Sequence, residues 1–497
     1  MNPHNMNRTD VCLIIEGCFP YVRGGVGNWI YNLIKELSDI DFSFMVIWPS
    51  PNIPRKLQYI LPHNVKEIRE VFVFANKAEG RHRSGSTERL LRVLKLLDED
   101  IYHAQTKNFD KFLEVILSID PVEINLQQLF QSREAWASIV ELHENRYPDE
   151  SFIDLFWTWR CSRLPLFNCI KAEVPPARIY HCLSTGYSGF LGVLASKRFG
   201  SHLLLTEHGI YTQERKLELA SAEWLYEKKD RGLRFKKELS PLRQMWLNVF
   251  KYMGLLAYHH CDLITTIFEG NRDLQVLAGA PEEKIWVIPN GIDVERFSKI
   301  RRISREKPEK LQVGFVGRVV PIKDINTFLK ACRILKNNYP KSEFFIIGPY
   351  DEDPIYYEEC KRLSSLLGLD DCLKFTGAVD VEEYYSKLHL VVLTSIKEVF
   401  PLAILEANAA GIPVVVSDVG ACRGLLYGVT PEDRELGHSG VVARVANPED
   451  TANALLKLIN DPSLYEKMSN AGRERVRRFY NQKIVYSRYR ELYQRYL

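Results

Sequence analysis

The chain has ten cysteines but no C-x-x-C pair among them. Without such pairing, neither a zinc ribbon nor a thioredoxin-like redox motif is indicated. Cys12, Cys18, Cys161, Cys169, Cys182, Cys261, Cys332, Cys360, Cys372 and Cys422 are scattered, most of them in apolar runs. That distribution suits buried thiols in a reducing compartment better than disulfides. No apolar run approaches the roughly 18 residues of a membrane span. The first, residues 11–15, gives way at once to Glu16 and Gly17, as a strand entering a loop does and a secretory leader does not. A cytoplasmic protein is expected. Charge of one sign is missing too: 66 Lys and Arg stand against 63 Asp and Glu, a formal +3. So even a balance does not call for a nucleic-acid partner.

What is present is ample material for a core: 46% hydrophobic and 26% charged residues over a length that suits two or three domains. A strand at 11–15, a glycine-bearing loop, a helix from about 28 to 38 and a strand at 42–48 make a β-α-β opening. Between about 50 and 174 a basic stretch at 81–83 precedes helical periodicity at Leu90, Leu91, Val93, Leu94 and Leu97. A mostly helical insertion is predicted there. Strand-like runs resume at 178–182, 202–206, 262–267 and 284–288, with a long helical pair over 215–260. The charged stretch 300–310 lacks apolar periodicity and reads as a linker. Beyond it, strands at 311–316, 343–347, 373–375, 390–394 and 413–417 alternate with helices, which predicts a parallel, doubly wound sheet. The expected division is a first Rossmann-like domain over 1–299, a second over 300–475 and a C-terminal helix over 476–497. Open sheets of this kind bind ligands beyond the carboxyl ends of their strands.

Arg23-Gly24-Gly25-Val26-Gly27 joins the first strand to the first helix. Gly24, Gly25 and Gly27 would let the backbone approach an anion that the helix amides then bind. A tight turn with no ligand would use the same residues. The spacing is not G-x-G-x-x-G, which weakens a dinucleotide reading. The second domain opens similarly, with Gly314-Phe315-Val316-Gly317-Arg318 and then Lys323. Arginine offers a planar fork to phosphate oxygens and lysine a mobile point charge. Either alone is ordinarily a solvated surface charge; together at a strand's carboxyl end they make a cationic cradle.

The segment Lys397-Glu398-Val399-Phe400-Pro401-Leu402-Ala403-Ile404-Leu405-Glu406-Ala407 is the most informative. Pro401 suits the first turn of a helix, so Glu398 falls in the loop ahead and Glu406 inside the helix. A carboxylate amid Leu405, Ala407 and Ala409 is not buried without a partner. Taken singly, Glu398 reads as a helix-dipole carboxylate and Glu406 as an exposed face. Their joint place in a strand–loop–helix unit beside a cationic cradle points to a shared site.

The E-x7-E spacing of Glu398 and Glu406, with Pro289-Asn290-Gly291-Ile292-Asp293, Gly317-Arg318 and Lys323, resembles the large retaining GT-B glycosyltransferase family. That family contains sucrose synthases and many bacterial polysaccharide enzymes. The resemblance covers about 203–462 and the Gly24–Gly27 loop. The insertion, with Glu16-Gly17-Cys18-Phe19-Pro20-Tyr21 and Thr206-Glu207-His208-Gly209-Ile210-Tyr211-Thr212, is similar to one branch, the cytosolic glycosyltransferases of bacterial Pel exopolysaccharide synthesis in biofilms.

The resemblance implies an α/β, GT-B fold: two facing Rossmann-like doubly wound parallel-sheet domains, a helical insertion in the first and a C-terminal crossover helix. It implies retaining, metal-independent transfer of a hexose or N-acetylhexosamine from a UDP-sugar to a growing polysaccharide. UDP-GalNAc, UDP-GlcNAc and UDP-glucose all fit, no cofactor is required, and no Asp-x-Asp triplet stands in a suitable loop. Membrane-embedded polysaccharide synthase subunits are the implied partners, recruiting the protein to the inner face of the plasma membrane. Arg318 and Lys323, with Gly317, would neutralise the leaving diphosphate, and Glu398 would contact the donor sugar. Glu406 would hold the ribose, Gly348, Tyr350 and Val379 would flank the base, and the amides of Leu402 and Ala403 would reach the distal phosphate. Gly24, Gly25, Gly27 and His208 would serve the sugar side, while His181 reads as structural.

Three other readings compete. The chain could be a sugar-nucleotide-binding scaffold without activity, although the intact Arg318, Lys323, Glu398 and Glu406 argue against a decayed site. The basic and aromatic residues over 473–495 could meet nucleic acid, against the simpler expectation of a helix with an aromatic inner face. The aromatic stretch 152–159 and the basic run 228–237 are expected to be packing and a solvated helix face, with docking to a membrane partner or to the sugar rings of an acceptor as the alternatives for the first and anionic lipid for the second.

Overall fold

A computed structural model describes residues 8–75, 86–120, 124–221, 239–300 and 310–497. The basic stretch at 81–83, the basic run at 228–237 and most of the expected linker lie outside the described residues. Contacts divide the chain into two units, Met1–Val287 with Tyr489–Leu497, and Ile288–Arg488.

In the first unit, β-branched and aromatic runs buried on both faces form the strands of a parallel sheet. Thr9–Glu16 (β1), Gly25–Glu36 (α1), Phe42–Trp48 (β2) and Val65–Phe72 (β3) open it. Five helices follow: Ser86–His103 (α2), Phe109–Leu117 (α3), Leu126–Gln131 (α4), Arg133–Arg146 (α5) and Phe152–Lys171 (α6). Asn125, Ser132 and Ser151 start the last three by accepting from the amides of Gln128 at 2.9 Å, Ala135 at 3.0 Å and Asp154 at 3.4 Å, so each satisfies an amide that the helix itself leaves unpaired. The unit continues through Ala177–Cys182 (β4), Tyr187–Phe199 (α7), His202–Glu207 (β5), Tyr211–Ser221 (α8) and Pro241–His260 (α9). Leu263–Thr266 (β6), Glu269–Leu277 (α10) and Ile285–Val287 (β7) complete it. The strand order is β3-β2-β1-β4-β5-β6-β7, all parallel.

The region expected to be a mostly helical insertion therefore contains a strand of the sheet. β3 was missed because Val65-Lys66-Glu67-Ile68-Arg69-Glu70 carries charges at the edge of the sheet. Edge strands carry such charges, which keep other chains from pairing with them, and they lack the apolar run that marks a buried strand.

The second unit begins with Val294–Ser298 (α11), Leu311–Val316 (β8), Ile325–Asn338 (α12), Ser342–Ile347 (β9) and Pro354–Leu366 (α13). Leu373–Gly377 (β10), Val381–Tyr385 (α14), Leu390–Leu393 (β11), Leu402–Ala409 (α15) and Val414–Ser417 (β12) follow. Cys422–Tyr427 (α16), Pro431–Arg434 (α17), Gly440–Ala443 (β13), Pro448–Asn460 (α18), Pro462–Phe479 (α19) and Gln482–Gln494 (α20) end the chain's regular structure. The order is β10-β9-β8-β11-β12-β13, again all parallel. The four-residue β13 had no run long enough to stand out in the sequence.

The boundary falls after Val287, earlier than the expected 299, because the Pro289–Asp293 motif belongs to the second unit. There the Ile292 amide donates to the Tyr480 carbonyl and the Gln482 amide to that of Ile292, both at 2.9 Å. The terminal helix expected over 476–497 is also divided: residues to Arg488 belong to the second unit and Tyr489–Leu497 to the first. In the first unit Tyr489 and Tyr493 are fully buried.

Each sheet has one place where the strand order reverses direction, between β1 and β4 and between β8 and β11. Crevices form there, beyond the carboxyl ends of the strands. Among the described residues no helix is long and apolar enough to cross a membrane. The ten cysteines are all free thiols, most of them buried.

Candidate functional site

At the reversal in the second sheet the chain leaves β8 through Gly317 and Arg318 and β11 through Thr394 and Ser395. Gly348, after β9, approaches so closely that a Cβ there would stand 2.2 Å from the Gly317 carbonyl oxygen, at φ +145°. Only glycine fits. Arg318 Nη1 donates to both carboxylate oxygens of Glu352 at 2.6 Å. Both side chains are about half exposed, so water weakens this pairing and the guanidinium can be drawn to another anion. Pro321–Lys323 form a 3₁₀ turn. Thr394 Oγ1 donates to the Asp324 carbonyl at 2.9 Å and the Ile396 amide to that of Ile322 at 3.0 Å, fastening the turn to the β11 end.

That fastening brings two of the sequence-derived residues together. Lys323 Nζ forms an ion pair with Glu398 Oε1, which also accepts from Ser395 Oγ at 2.6 Å. The two side chains are only 17% and 11% exposed, enough screening from water to strengthen the pair. The Glu398 loop is held from behind by Gly420, at φ +51°, where a Cβ would stand 2.1 Å from the Glu398 carbonyl oxygen. Gly420 was not anticipated, although a glycine after a strand was the signal that singled out Gly317.

Glu406 lies half-buried on α15 and accepts from the Tyr385 hydroxyl at 3.0 Å. Burial pushes its carboxyl above the ordinary range; the Tyr385 hydrogen bond and the nearby Arg296 charge pull it back down. Arg296 sits on α11, which Asp293 caps by accepting from the Arg296 amide at 3.1 Å. The Pro-Asn-Gly-Ile-Asp motif thus delivers a cation close enough to affect Glu406. Arg296 itself pairs with Glu382. Tyr385 and Arg296 had no sequence signal, since each acts through the fold.

Leu402 and Ala403 are the first residues of α15, where no side chain caps the helix, so its leading amides have no intrahelical acceptor. Tyr350 stacks on Tyr357 with ring centres 4.3 Å apart and planes 9° apart, and stays part-exposed, as does Val379. Directly after Tyr350 comes Asp351-Glu352-Asp353, an Asp-x-Asp triplet beside the cradle where none was expected. Two of the three have other work: Glu352 holds Arg318, and Asp353 caps α13 by accepting from the Tyr356 amide at 3.0 Å. Among the described residues no three His, Cys, Asp or Glu are grouped to hold a metal ion.

In the first unit Gly24 is the N-cap of α1, again without a side-chain cap. A Cβ on Gly24 or Gly25 would meet nothing within 4 Å, while one on Gly27 would stand 2.9 Å from the Val22 carbonyl oxygen and the Tyr59 hydroxyl. So Gly27 is required by packing, while no packing contact demands glycine at Gly24 or Gly25. His208 follows β5 with its ring edge-on to Trp29 of α1, centres 4.9 Å apart. Its Nε2 is buried without a hydrogen-bond partner. Buried polar atoms are nearly always satisfied, so this one marks the residue out. Burial pushes its pKa down to about 4. His181 is the contrast: Tyr493 OH lies 2.7 Å from its Nδ1 and Thr206 Oγ1 2.7 Å from its Nε2, and burial lowers it to about 3. His181 is a satisfied core residue. Glu207, also not anticipated, is buried just before His208 and accepts from Tyr258 OH at 2.7 Å, Gln275 Nε2 at 2.9 Å and Thr185 Oγ1 at 3.1 Å.

Both imidazoles lie below the ordinary value of about 6.5, so between pH 6.5 and 4 the unfolded chain binds protons that the folded chain does not. Their stabilising effect is complete above about pH 6.5 and is lost as pH falls through the folded values. The thermal midpoint is expected to drop across this window, and less steeply in His208→Gln. Equal slopes for the two proteins would contradict the assignment.

Over 473–495 the tyrosines Tyr480, Tyr486, Tyr489 and Tyr493 and the single cation Arg475 are buried, whereas Arg473, Arg477, Arg478, Arg488 and Arg495 are exposed. Arg475 is fully buried and donates to Asp433 Oδ1 at 2.6 Å, Arg477 and Arg478 pair with Glu474, and Tyr489 and Tyr493 are core residues. In the 152–159 stretch Leu155 and Trp159 are buried while Ile153 and Trp157 are exposed.

Residues 9–283 match the family model described as Domain of unknown function (DUF3492), and residues 296–475 that described as Glycosyl transferases group 1. The D-inositol 3-phosphate glycosyltransferase of Streptomyces bingchenggensis (strain BCW-1) is 29% identical over 215 residues, 40% of this chain and 46% of that one. The N,N'-diacetylbacillosaminyl-diphospho-undecaprenol alpha-1,3-N-acetylgalactosaminyltransferase of Campylobacter jejuni is 28% identical over 252 residues, 48% of this chain and 62% of that one. The chain spans about half the length of the curated relatives it matches. Among solved structures, Anabaena Alr3699/HepE in complex with UDP matches with a TM-score of 0.60 at 13% identity, covering 98% of this chain and 100% of that one. That likeness concerns the fold: two Rossmann-like domains of the GT-B glycosyltransferase class. The chain belongs to the DUF3492 family by the model that covers more than half of it, and its second unit carries the domain of glycosyl transferases group 1.

Proposed function

We propose that this protein is a retaining, metal-independent glycosyltransferase that moves a hexose or N-acetylhexosamine from a UDP-sugar to a growing polysaccharide, as exopolysaccharide synthesis of the Pel type requires. The observation that carries the reading is the Lys323–Glu398 pair at the reversal point of the second sheet, next to Arg318 and the Gly317–Gly348 contact. A UDP donor is supported by the UDP bound in Alr3699/HepE, and an N-acetylhexosamine by the activity named for the Campylobacter relative.

In this reading the bond from the anomeric carbon to the diphosphate breaks first, leaving oxocarbenium character on the sugar. Arg318 and Lys323 take up the charge developing on the departing phosphates, the task a divalent cation performs elsewhere. A phosphate oxygen then accepts the proton of the acceptor hydroxyl, which attacks from the same face, so no enzymic nucleophile is needed. Glu398 orients a sugar hydroxyl, Glu406 accepts from the ribose, Tyr350 and Val379 flank the base, and the Leu402 and Ala403 amides donate to phosphate. On the sugar side, the neutral His208 has an Nε2 free to bond a hydroxyl, and α1 offers the amides left open by Gly24 and Gly25. The nucleotide is thus assigned to the group 1 domain. The setting is the cytoplasm, with recruitment to a membrane-embedded synthase.

The test is incubation of the purified protein with UDP-GalNAc, UDP-GlcNAc and UDP-glucose in EDTA, with NMR of the product. Release of UDP and an α-linked product from an α-linked donor are expected. Activity that vanishes in EDTA and returns with Mg²⁺ would place a metal at the acidic triplet and sink metal independence. An inverted product would sink retention. Tight UDP binding with no turnover of any of the three donors would favour a scaffold.

A further inference from the structure

In the second unit β11 is preceded by the short helix α14, which ends in Tyr385, and followed by α15, which carries Glu406. Tyr385 is fully buried, and its hydroxyl donates to Glu406 Oε2 at 3.0 Å. The ring that carries this hydroxyl is itself held, edge-on to Phe297 of α11 with centres 6.0 Å apart. Two further contacts fix α14. Asp380 starts it by accepting from the Glu382 amide at 3.1 Å, and Arg296 of α11 forms an ion pair with Glu382.

Burial takes water from the Glu406 carboxylate and favours its neutral form. The Tyr385 hydroxyl and the Arg296 charge act the other way and hold it toward the anion. Tyr385 stays a donor, because burial and the carboxylate beside it push its own ionisation well above the ordinary value. An ionised carboxylate only accepts, and it has about four lone-pair sites. The bond to Tyr385 therefore fixes the direction of one oxygen and leaves sites for other hydroxyls.

We infer that Tyr385 is a positioning residue for the ribose of the donor: by anchoring Oε2 it presents the Glu406 carboxylate to the ribose hydroxyls in one orientation, and so makes the site select a ribonucleotide over its deoxy analogues. The inference rests on the contact of Glu406 with the ribose proposed above. A carboxylate already anchored loses little freedom when a hydroxyl binds to it. A site arranged to accept from a hydroxyl rejects the analogue that lacks it, because the buried acceptor is then left without its partner. A tyrosine that only filled space would not tell apart two nucleotides differing by one hydroxyl.

The test is calorimetric titration of the full chain with UDP, 2′-deoxy-UDP and 3′-deoxy-UDP. The unaltered protein is expected to bind UDP about tenfold or more tightly than at least one deoxy analogue, the scale of one hydrogen bond to a charged group. Tyr385→Phe keeps the ring against Phe297 and removes only the hydroxyl. It narrows that preference several-fold while the affinity for the weaker analogue is unchanged, which also shows that the variant folds. Glu406→Ala removes the preference. A preference absent from the unaltered protein, or surviving in Glu406→Ala, refutes the ribose contact itself, and the inference falls with it. A preference lost in Glu406→Ala but kept in full in Tyr385→Phe overturns the inference alone. Equal weakening of all three nucleotides in Tyr385→Phe overturns it as well, since that is the mark of a purely structural role.

Discussion

On the proposed function, replacing Lys323 by alanine is expected to lower the rate of sugar transfer about 10²–10³-fold, the usual cost of removing one preorganised group that meets charge developing in a transition state. Lys323 is placed for that role by the fold and not by its own flexible stem. The 3₁₀ turn that carries it is fastened to the end of β11 by Thr394 and Ile396, and its ammonium rests against Glu398. A lysine ammonium has three donors, so the bond to Glu398 leaves capacity for phosphate oxygens. The charge is therefore already in position, so in the proposed reaction little reorganisation is expected when the diphosphate departs. Steady-state transfer of a UDP-sugar measures the effect, with circular dichroism to show that the variant folds. Near-wild-type turnover would remove Lys323 from the cradle. Arg318→Ala is expected to act in the same direction, and the freed Glu352 should make donor binding worse as well, because a carboxylate then faces the diphosphate without its partner.

Arg475→Ala is expected to be strongly destabilising. The guanidinium is fully buried, donates to Asp433 Oδ1 at 2.6 Å and also to the carbonyls of Leu426, Asp433 and Gly437 at 2.8, 2.9 and 2.6 Å. Removing it leaves the buried Asp433 carboxylate without its cation and takes one donor from three carbonyls, of which those of Leu426 and Asp433 keep the Ser439 and Leu436 amides, a loss of about 3–5 kcal/mol by analogy with broken buried ion pairs. Lysine does not rescue it, since a point charge cannot reproduce the planar fork that spans four acceptors. Chemical denaturation checks this. With two units in the chain, the transition belonging to the second is the one to follow, because a single two-state fit does not apply to both. A midpoint within error of the wild type would show that water or a local rearrangement replaces the arginine.

The two predictions concern cations that look alike in the sequence. Each lies between an aliphatic and an acidic residue, Ile322 and Asp324 for the one and Glu474 and Val476 for the other, in a chain with 66 Lys and Arg. What separates them is depth: Lys323 keeps an edge open to solvent and Arg475 has none. Arg475 belonged to a stretch that could be read as a nucleic-acid face, and its burial removes this one cation from that face. His181 and His208 divide in the same way. Each follows or ends a strand of the first sheet, but one ring has both nitrogens satisfied and the other has an Nε2 with no partner.

Much of the architecture was legible without coordinates, because it depends on local patterns. Apolar runs of strand length alternating with helical periodicity predict parallel sheets, and β2 and β8 occupy the residues expected of them. Glycine followed by Arg or Lys after a strand, and Pro401 ahead of a helix holding Glu406, are local signals as well. Tertiary structure decided the rest. Which carboxylate each cation takes, Glu352 for Arg318 and Glu398 for Lys323, follows from strand order, which brings together residues far apart in sequence. Edge strand β3 has a charged pattern that only pairing with β2 makes sense of. A cavity in the first unit, under Trp48, Tyr211 and Phe250, gathers side chains from five or more separate elements, and no spacing along the chain encodes a shared void. Periodicity reports what one segment buries, whereas a site depends on which buried and half-buried groups meet, and that is set by packing.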